Sequence, residues 1–293
     1  VTSMLSAPRD STNASNRMGP GILAPIAGQP VVLPVRVGGV GGASSSDIID
    51  AMYWAAGLAS IPGVPNPSPA ARVITLSYGS PGNCQGSSSN SVDALYRNAI
   101  ATLRSFGVVV VASAGNGDGS TGYTTPSKPA SCQGVIASTG LRTDASKARY
   151  ANLVNGTRAT QCYFGVAVAS GDPDVAEAMS MLGNSGTKVP VTTNLQGGII
   201  GTSFAAPQVA GVAALMLAVK PSLSSVDVAY RIMQSATPFP TSGPAVCSST
   251  KRDNCRCTTS TCGAGVLDAA AALTLALNPP LFSEGACPSP DVE

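Results

Sequence analysis

A serine hydroxyl and a carboxamide stand in this chain in settings that suit attack on a carbonyl. Ser203 lies in Gly201-Thr202-Ser203-Phe204-Ala205-Ala206-Pro207-Gln208-Val209-Ala210-Gly211, a small-residue turn leading into the apolar stretch Val212 to Val219. No charged residue occurs from Ser203 to Val219, so the helix predicted there runs buried through the centre of the molecule. Pro207 falls within its first turns, where a missing N–H costs little. A hydroxyl at the mouth of such a helix meets a partial positive charge that favours developing negative charge, and small neighbours let a substrate backbone come close. The same serine also suits an ordinary N-cap. Asn116 follows the apolar run Val108 to Ala112, in Ser113-Ala114-Gly115-Asn116-Gly117. At a strand's carboxyl end its amide can donate to the oxygen that turns negative as a serine attacks a carbonyl; Asn-Gly is equally a common turn pair. Against both stands an absence of histidine. A serine hydroxyl is a weak nucleophile unless a base takes its proton.

The elements that must position these groups alternate between strand and helix. Val31 to Val37 is predicted as a strand, followed by a glycine-serine turn and a helix over Asp47 to Leu58 with Ile48, Ala51, Met52 and Ala55 on one side. The turn contains Gly39-Val40-Gly41, but a dinucleotide fingerprint needs a third glycine. Val73 to Ser77 is the next strand. Ser91 caps a helix carrying Val92, Leu95, Ala99, Leu103 and Phe106 at helical spacing, and Gly107 ends it. Val108 to Ala112 reads as a strand covered on both faces, with further strands at Val135 to Ser138 and Phe164 to Ala169. Helices follow at Ser203 to Val219, Ser225 to Ala236 and Val266 to Leu277. Such alternation implies an α/β fold in three layers: a mostly parallel sheet with helices on both faces.

The stretch from Gly201 to Gly211 resembles the nucleophile segment of subtilisin-like serine peptidases, whose usual form is Gly-Thr-Ser-Met-Ala-Ala-Pro-His-Val-Ala-Gly. Phe204 and Gln208 stand at the two positions that differ, and neither carries the chemistry. Ala114-Gly115-Asn116 after a buried valine strand is similar to the family's oxyanion segment, which implies Ser203 as nucleophile and Asn116 as oxyanion donor. Leu76-Ser77-Tyr78-Gly79 resembles the edge along which a substrate backbone adds as an extra strand. The resemblance thus implies substrate binding by Ser77, Tyr78 and Gly79, with Ala114 and Gly115 walling the primary pocket and Thr202 beside them. The pocket floor is expected within Thr121 to Ser131, which aligns poorly. The implied domain covers residues 1–278 without its N-terminal part, and 279–293 form a tail.

The family's base is a histidine held by an aspartate, both preceding the oxyanion asparagine. Val1-Thr2-Ser3-Met4-Leu5 looks like the helix after that histidine with its head removed, and Val1 in place of Met carries the expectation of a lost upstream portion. Three readings follow. In the first, a peptidase receives Asp and His from a separate N-terminal fragment of its precursor, and this chain alone is inactive. In the second, an inactive module grips peptides through Ser77 to Gly79. The third uses carboxylates in place of histidine, with Asp47 and Asp50 as candidates, although a solvated helix start suits them better. The first is the reading adopted.

Charged residues make up 11% and hydrophobic ones 44% of the chain, with 32 glycines and 23 prolines, which suits a loop-rich folded protein. A net charge of +2 gives no reason to expect nucleic acid or an anionic membrane, and no apolar run is expected to span a bilayer. Eight cysteines point to an oxidising compartment, secreted or periplasmic, and leave 105 pairings open. Cys84 with Cys132 is the expected bridge, with two more among the C-terminal cysteines. A zinc site at Cys247, Cys255, Cys257 and Cys262 is the rival, and its spacing lacks the common two-residue gap. No cofactor is required. Asp172, Asp174 and Glu177 offer oxygens for a structural calcium, or form a plain acidic turn.

Overall fold

The computed structural model describes residues 5, 31–82, 84, 91–119, 121–142, 144–154, 164–169, 181–182, 195–196 and 200–283. Four strands, β1 (Val73–Leu76), β2 (Val109–Ser113), β3 (Val135–Leu141) and β4 (Phe164–Ala169), lie side by side in chain order, and every pairing is parallel. Val109 and Val111 point to one face of the sheet, Val110 and Ala112 to the other, and all four are buried. A strand with both faces covered must be apolar throughout, which is why Val108 to Ala112 carries no polar residue.

One face is covered by α1 (Ser45–Ala55) and α2 (Val92–Ser105). Ser44 caps α1 by accepting from the Asp47 N–H, and Ser91 caps α2 by accepting from that of Ala94. Gly107, at φ 73°, ends α2 in the left-handed conformation that a side chain would resist. The other face is covered by α3 (Ala205–Val219), α4 (Ser225–Gln234) and α6 (Ala269–Ala276), while α5 (Thr259–Cys262) is a single turn in the cysteine-rich loop. Thr202–Val219 is, among the described residues, long and apolar enough to cross a membrane by composition, contrary to the expectation from sequence. In the fold it is the central helix, packed on the sheet and on α4 and α6. Leu5 is buried against Leu215 of this helix; the rest of the helix expected over the first residues lies outside the described residues. A short antiparallel pair, β5 (Met181–Leu182) with β6 (Leu195–Gln196), stands apart from the main sheet.

The strand predicted at Val31 to Val37 does not form: residues 31–38 carry no ladder, and Val31, Leu33 and Val35 are exposed. Alternation specifies a strand only when a neighbouring strand accepts its hydrogen bonds, and among the described residues none does. The outer edge of β1 likewise has no strand partner among the described residues.

Two charged pieces of the interior are held by backbone groups. Asp227 and Arg231 of α4 are buried; Asp227 accepts from the N–H groups of Leu281 (2.6 Å) and Phe282 (3.3 Å), and Arg231 donates to the carbonyls of Leu275, Asn278 and Pro279. Residues just past 278 are thereby fastened to α4. Lys147 is fully buried, its Nζ donating to the carbonyls of Ala148 (2.8 Å), Arg149 (3.5 Å) and Ala151. Burial lowers its pKa to about 8. Between pH 8 and the ordinary lysine range the unfolded chain binds the extra proton, so stability rises with pH across that window, by on the order of 1–3 kcal/mol. Denaturant titrations at pH 7.5 and 10.5 are expected to show that gain in the wild type and not in Lys147→Met; equal changes in both would contradict it.

Candidate active site

The parallel register sets Leu76 of β1 beside Ala112 of β2. The segments that follow them, Ser77 to Gly79 and Ala114 to Asn116, therefore leave neighbouring strands at the same carboxyl end of the sheet. The turn at Thr202–Phe204, with Ser203 at its centre, meets β2 and β3 there before the chain enters α3.

Asn116 is fixed by its acceptor end. Its Oδ1 accepts from the Thr202 N–H (2.9 Å) and from Thr202 Oγ1 (2.9 Å), whose oxygen in turn accepts from the Gly115 N–H (3.1 Å). With Oδ1 doubly occupied, the amide can only be oriented with Nδ2 as the donor end facing away from Thr202. Gly201 makes this approach possible. Its φ of 152° is one L side chains rarely adopt, and a Cβ there would come within 3.1 Å of Asn116 Nδ2. Ser203 is half-buried, and its carbonyl accepts from Ser77 Oγ at 2.7 Å. The resemblance assigns Ser77 to substrate; in the structure its hydroxyl holds the serine turn. Gln208, at the position of the family's second histidine, donates to the Phe204 carbonyl one turn back along its own helix.

Ala114 is fully buried; its carbonyl accepts from the Ser127 N–H (2.8 Å) and from Asn152 Nδ2 (2.9 Å). The Gly115 carbonyl accepts from the Asn152 N–H (3.0 Å). Asn152, itself fully buried, completes its amide by accepting from the Tyr123 N–H (2.7 Å). It ties the wall at Ala114 and Gly115 to the stretch after Gly122, a role with no local signal in the sequence. Tyr78 packs on the α1–α2 side of the sheet, and Gly79 is exposed.

Cys84 is bonded to Cys132, and Cys247 to Cys255 and Cys257 to Cys262. Sulfurs of Cys247, Cys257 and Cys262 lie within 4.8 Å of one another, but each is already paired, which removes the thiolates zinc would need. Asp47 and Asp50 are exposed on α1. Asp172, Asp174 and Glu177 lie outside the described residues, as do Cys162 and Cys287.

The chain is 34% identical over 248 residues to the extracellular protease of Xanthomonas campestris pv. campestris, and 32% identical over 246 residues to the extracellular basic protease of Dichelobacter nodosus. Each alignment covers 84% of this chain, which spans 36% and 35% of the length of those relatives. Among solved structures, a protease from Pseudoalteromonas arctica superposes with a TM-score of 0.63 at 33% identity, over 83% of this chain and 62% of that one. A lanthipeptide protease shares the fold, with a TM-score of 0.60 at 19% identity. The model of the subtilase family matches residues 13–265, spanning the strand ends, the Asn116–Thr202 contact and the helix behind Ser203, and the chain belongs to that family.

Proposed function

We propose that this chain is the nucleophile-bearing part of a secreted serine endopeptidase, and that its aspartate and histidine arrive on a separate N-terminal fragment of the same precursor. The observation that carries the proposal is the Asn116–Thr202 contact, which sets an amide donor beside Ser203 in a chain with no histidine. In the reaction the incoming imidazole takes the Ser203 proton as Oγ bonds to the substrate carbonyl carbon. The oxygen that becomes negative is met by Asn116 Nδ2 and by the N–H of Ser203. The tetrahedral species expels the amine, which leaves with the proton returned by the imidazole, and water then hydrolyses the acyl-enzyme. The peptide lies along Ser77, Tyr78 and Gly79 with Ala114, Gly115 and Thr202 beside the scissile bond. No cofactor enters these steps.

Two further features support an incoming fragment. Among the described residues no strand pairs with the outer edge of β1, where an added segment could bond, and Val31, Leu33 and Val35 lie exposed. Secretion is supported by three disulfides among the described residues and by the likeness to extracellular proteases. A fluorophosphonate probe is expected to label Ser203 in the natural preparation, with intact mass before and after reduction revealing a companion peptide containing Asp and His. A preparation without that companion and without labelling would leave the missing histidine as the mark of a peptide-binding module.

A further inference from the structure

The slot between the two peptide-binding walls has a floor, and one side chain makes it. A Cβ built on Gly79 would lie 3.1 Å from Ser127 Cβ, and one built on Gly115 would lie 2.5 Å from Ser127 Oγ. Ser127 therefore stands between the two walls and touches both. Its neighbours bind it on each side: the Ser127 N–H donates to the Ala114 carbonyl (2.8 Å), while Ser80 and Lys128 exchange both backbone hydrogen bonds (2.9 and 3.1 Å).

This floor is rigid and uncharged. Asn152 Nδ2 donates to Ser127 Oγ (3.3 Å) and to the Ala114 carbonyl, and its Oδ1 is occupied by the Tyr123 N–H. A buried amide with both ends engaged resists displacement, because moving it leaves polar groups unpaired. The adjacent cation, Lys128 Nζ, is neutralised by Asp93 of α2 at 2.8 Å. A side chain entering between Gly79 and Gly115 thus meets a hydroxymethyl group held in place, and the lysine next to it is already engaged by Asp93.

We infer that Ser127 sets the specificity of the site, restricting the residue on the acyl side of the scissile bond to small uncharged side chains such as alanine or serine. This rests on the peptidase reading for hydrolysis, but the size of the slot governs peptide binding whether or not a bond is cut. The test uses the chain assembled with its histidine-bearing fragment, and peptide p-nitroanilides ending in Ala or Phe. Wild type is expected to favour Ala by at least about 10-fold in kcat/KM, given that one misfitting group in a pocket costs about 10–200-fold. Ser127→Gly is expected to raise the Phe substrate by about 10-fold or more, and Ser127→Ala to fall between. Equal use of Phe by wild type, or an unchanged Ala/Phe ratio in Ser127→Gly, overturns the inference. Binding of the corresponding peptide acids separates the two proposals. An Ala preference in binding that Ser127→Gly relaxes, without hydrolysis of either substrate, rejects the peptidase and upholds the slot. Hydrolysis without such a preference does the reverse.

Discussion

Mixing the purified chain with a polypeptide bearing the missing aspartate and histidine segments is expected to raise peptide hydrolysis by about 10⁴–10⁶ over the chain alone. The upper figure is the loss in kcat when a subtilisin, a member of this family, has its nucleophile or its base removed. The chain alone has the amide and the hydroxyl but no histidine to accept the hydroxyl's proton, and on the proposed reading attack is then unassisted. Ser203→Ala in the same mixture is expected to hold the rate at that of the unmixed chain. Hydrolysis by the unmixed chain at the rate of the mixture would show that proton transfer uses another group, and a mixture that binds without gaining activity would remove the peptidase reading.

In the assembled enzyme, Asn116→Ala is expected to lower kcat by about 10²–10³ with KM little changed, the figure found for the oxyanion asparagine of a subtilisin. The split between the two constants follows from the proposed role: a donor to the oxygen that gains charge only as the bond to Ser203 forms is lost mainly from the transition state. Asn116→Asp refines the result. An aspartate keeps an oxygen for the two Thr202 donors, which approach at 2.9 Å each, but has no N–H to offer and adds a negative charge facing the oxyanion. A loss as deep as in Asn116→Ala, with the fold intact, would assign the effect to the donor. A variant near wild-type kcat would show that Asn116 serves only to hold the Thr202 turn.

Local pattern was enough for the elements that bury a continuous stripe. Val109 to Ala112 and most of Ala205 to Leu217 are apolar because they are buried, and sequence shows that cover directly. Helix ends moved by a few residues, as at Asp47 to Leu58, which became Ser45–Ala55. Val31 to Val37 failed because a strand is completed by a partner, and its alternation says nothing about whether one is there. Around the site, the motifs placed Ser203 and Asn116, but the bonds that fix them join residues far apart in sequence: Ser77 Oγ to the Ser203 carbonyl, Thr202 to Asn116, Asn152 to Ala114. Such contacts arise from the parallel register and leave no periodic trace. Lys147 was hidden for a related reason, since a lysine reads as surface until three carbonyls are found around it.

The fastening of residues 278–282 to α4 sets a limit on synthesis. Asp227 and Arg231 are buried among groups that are the last of the described chain to leave the ribosome, so α4 waits through some fifty further residues for the amides and carbonyls that ligate it. A chain stopped before Asn278 keeps both ions but loses Asn278, Pro279, Leu281 and Phe282 as ligands, and an incompletely compensated buried charge costs about 3–5 kcal/mol. Packing of this half of the molecule is therefore not complete until the segment after α6 has emerged to ligate α4.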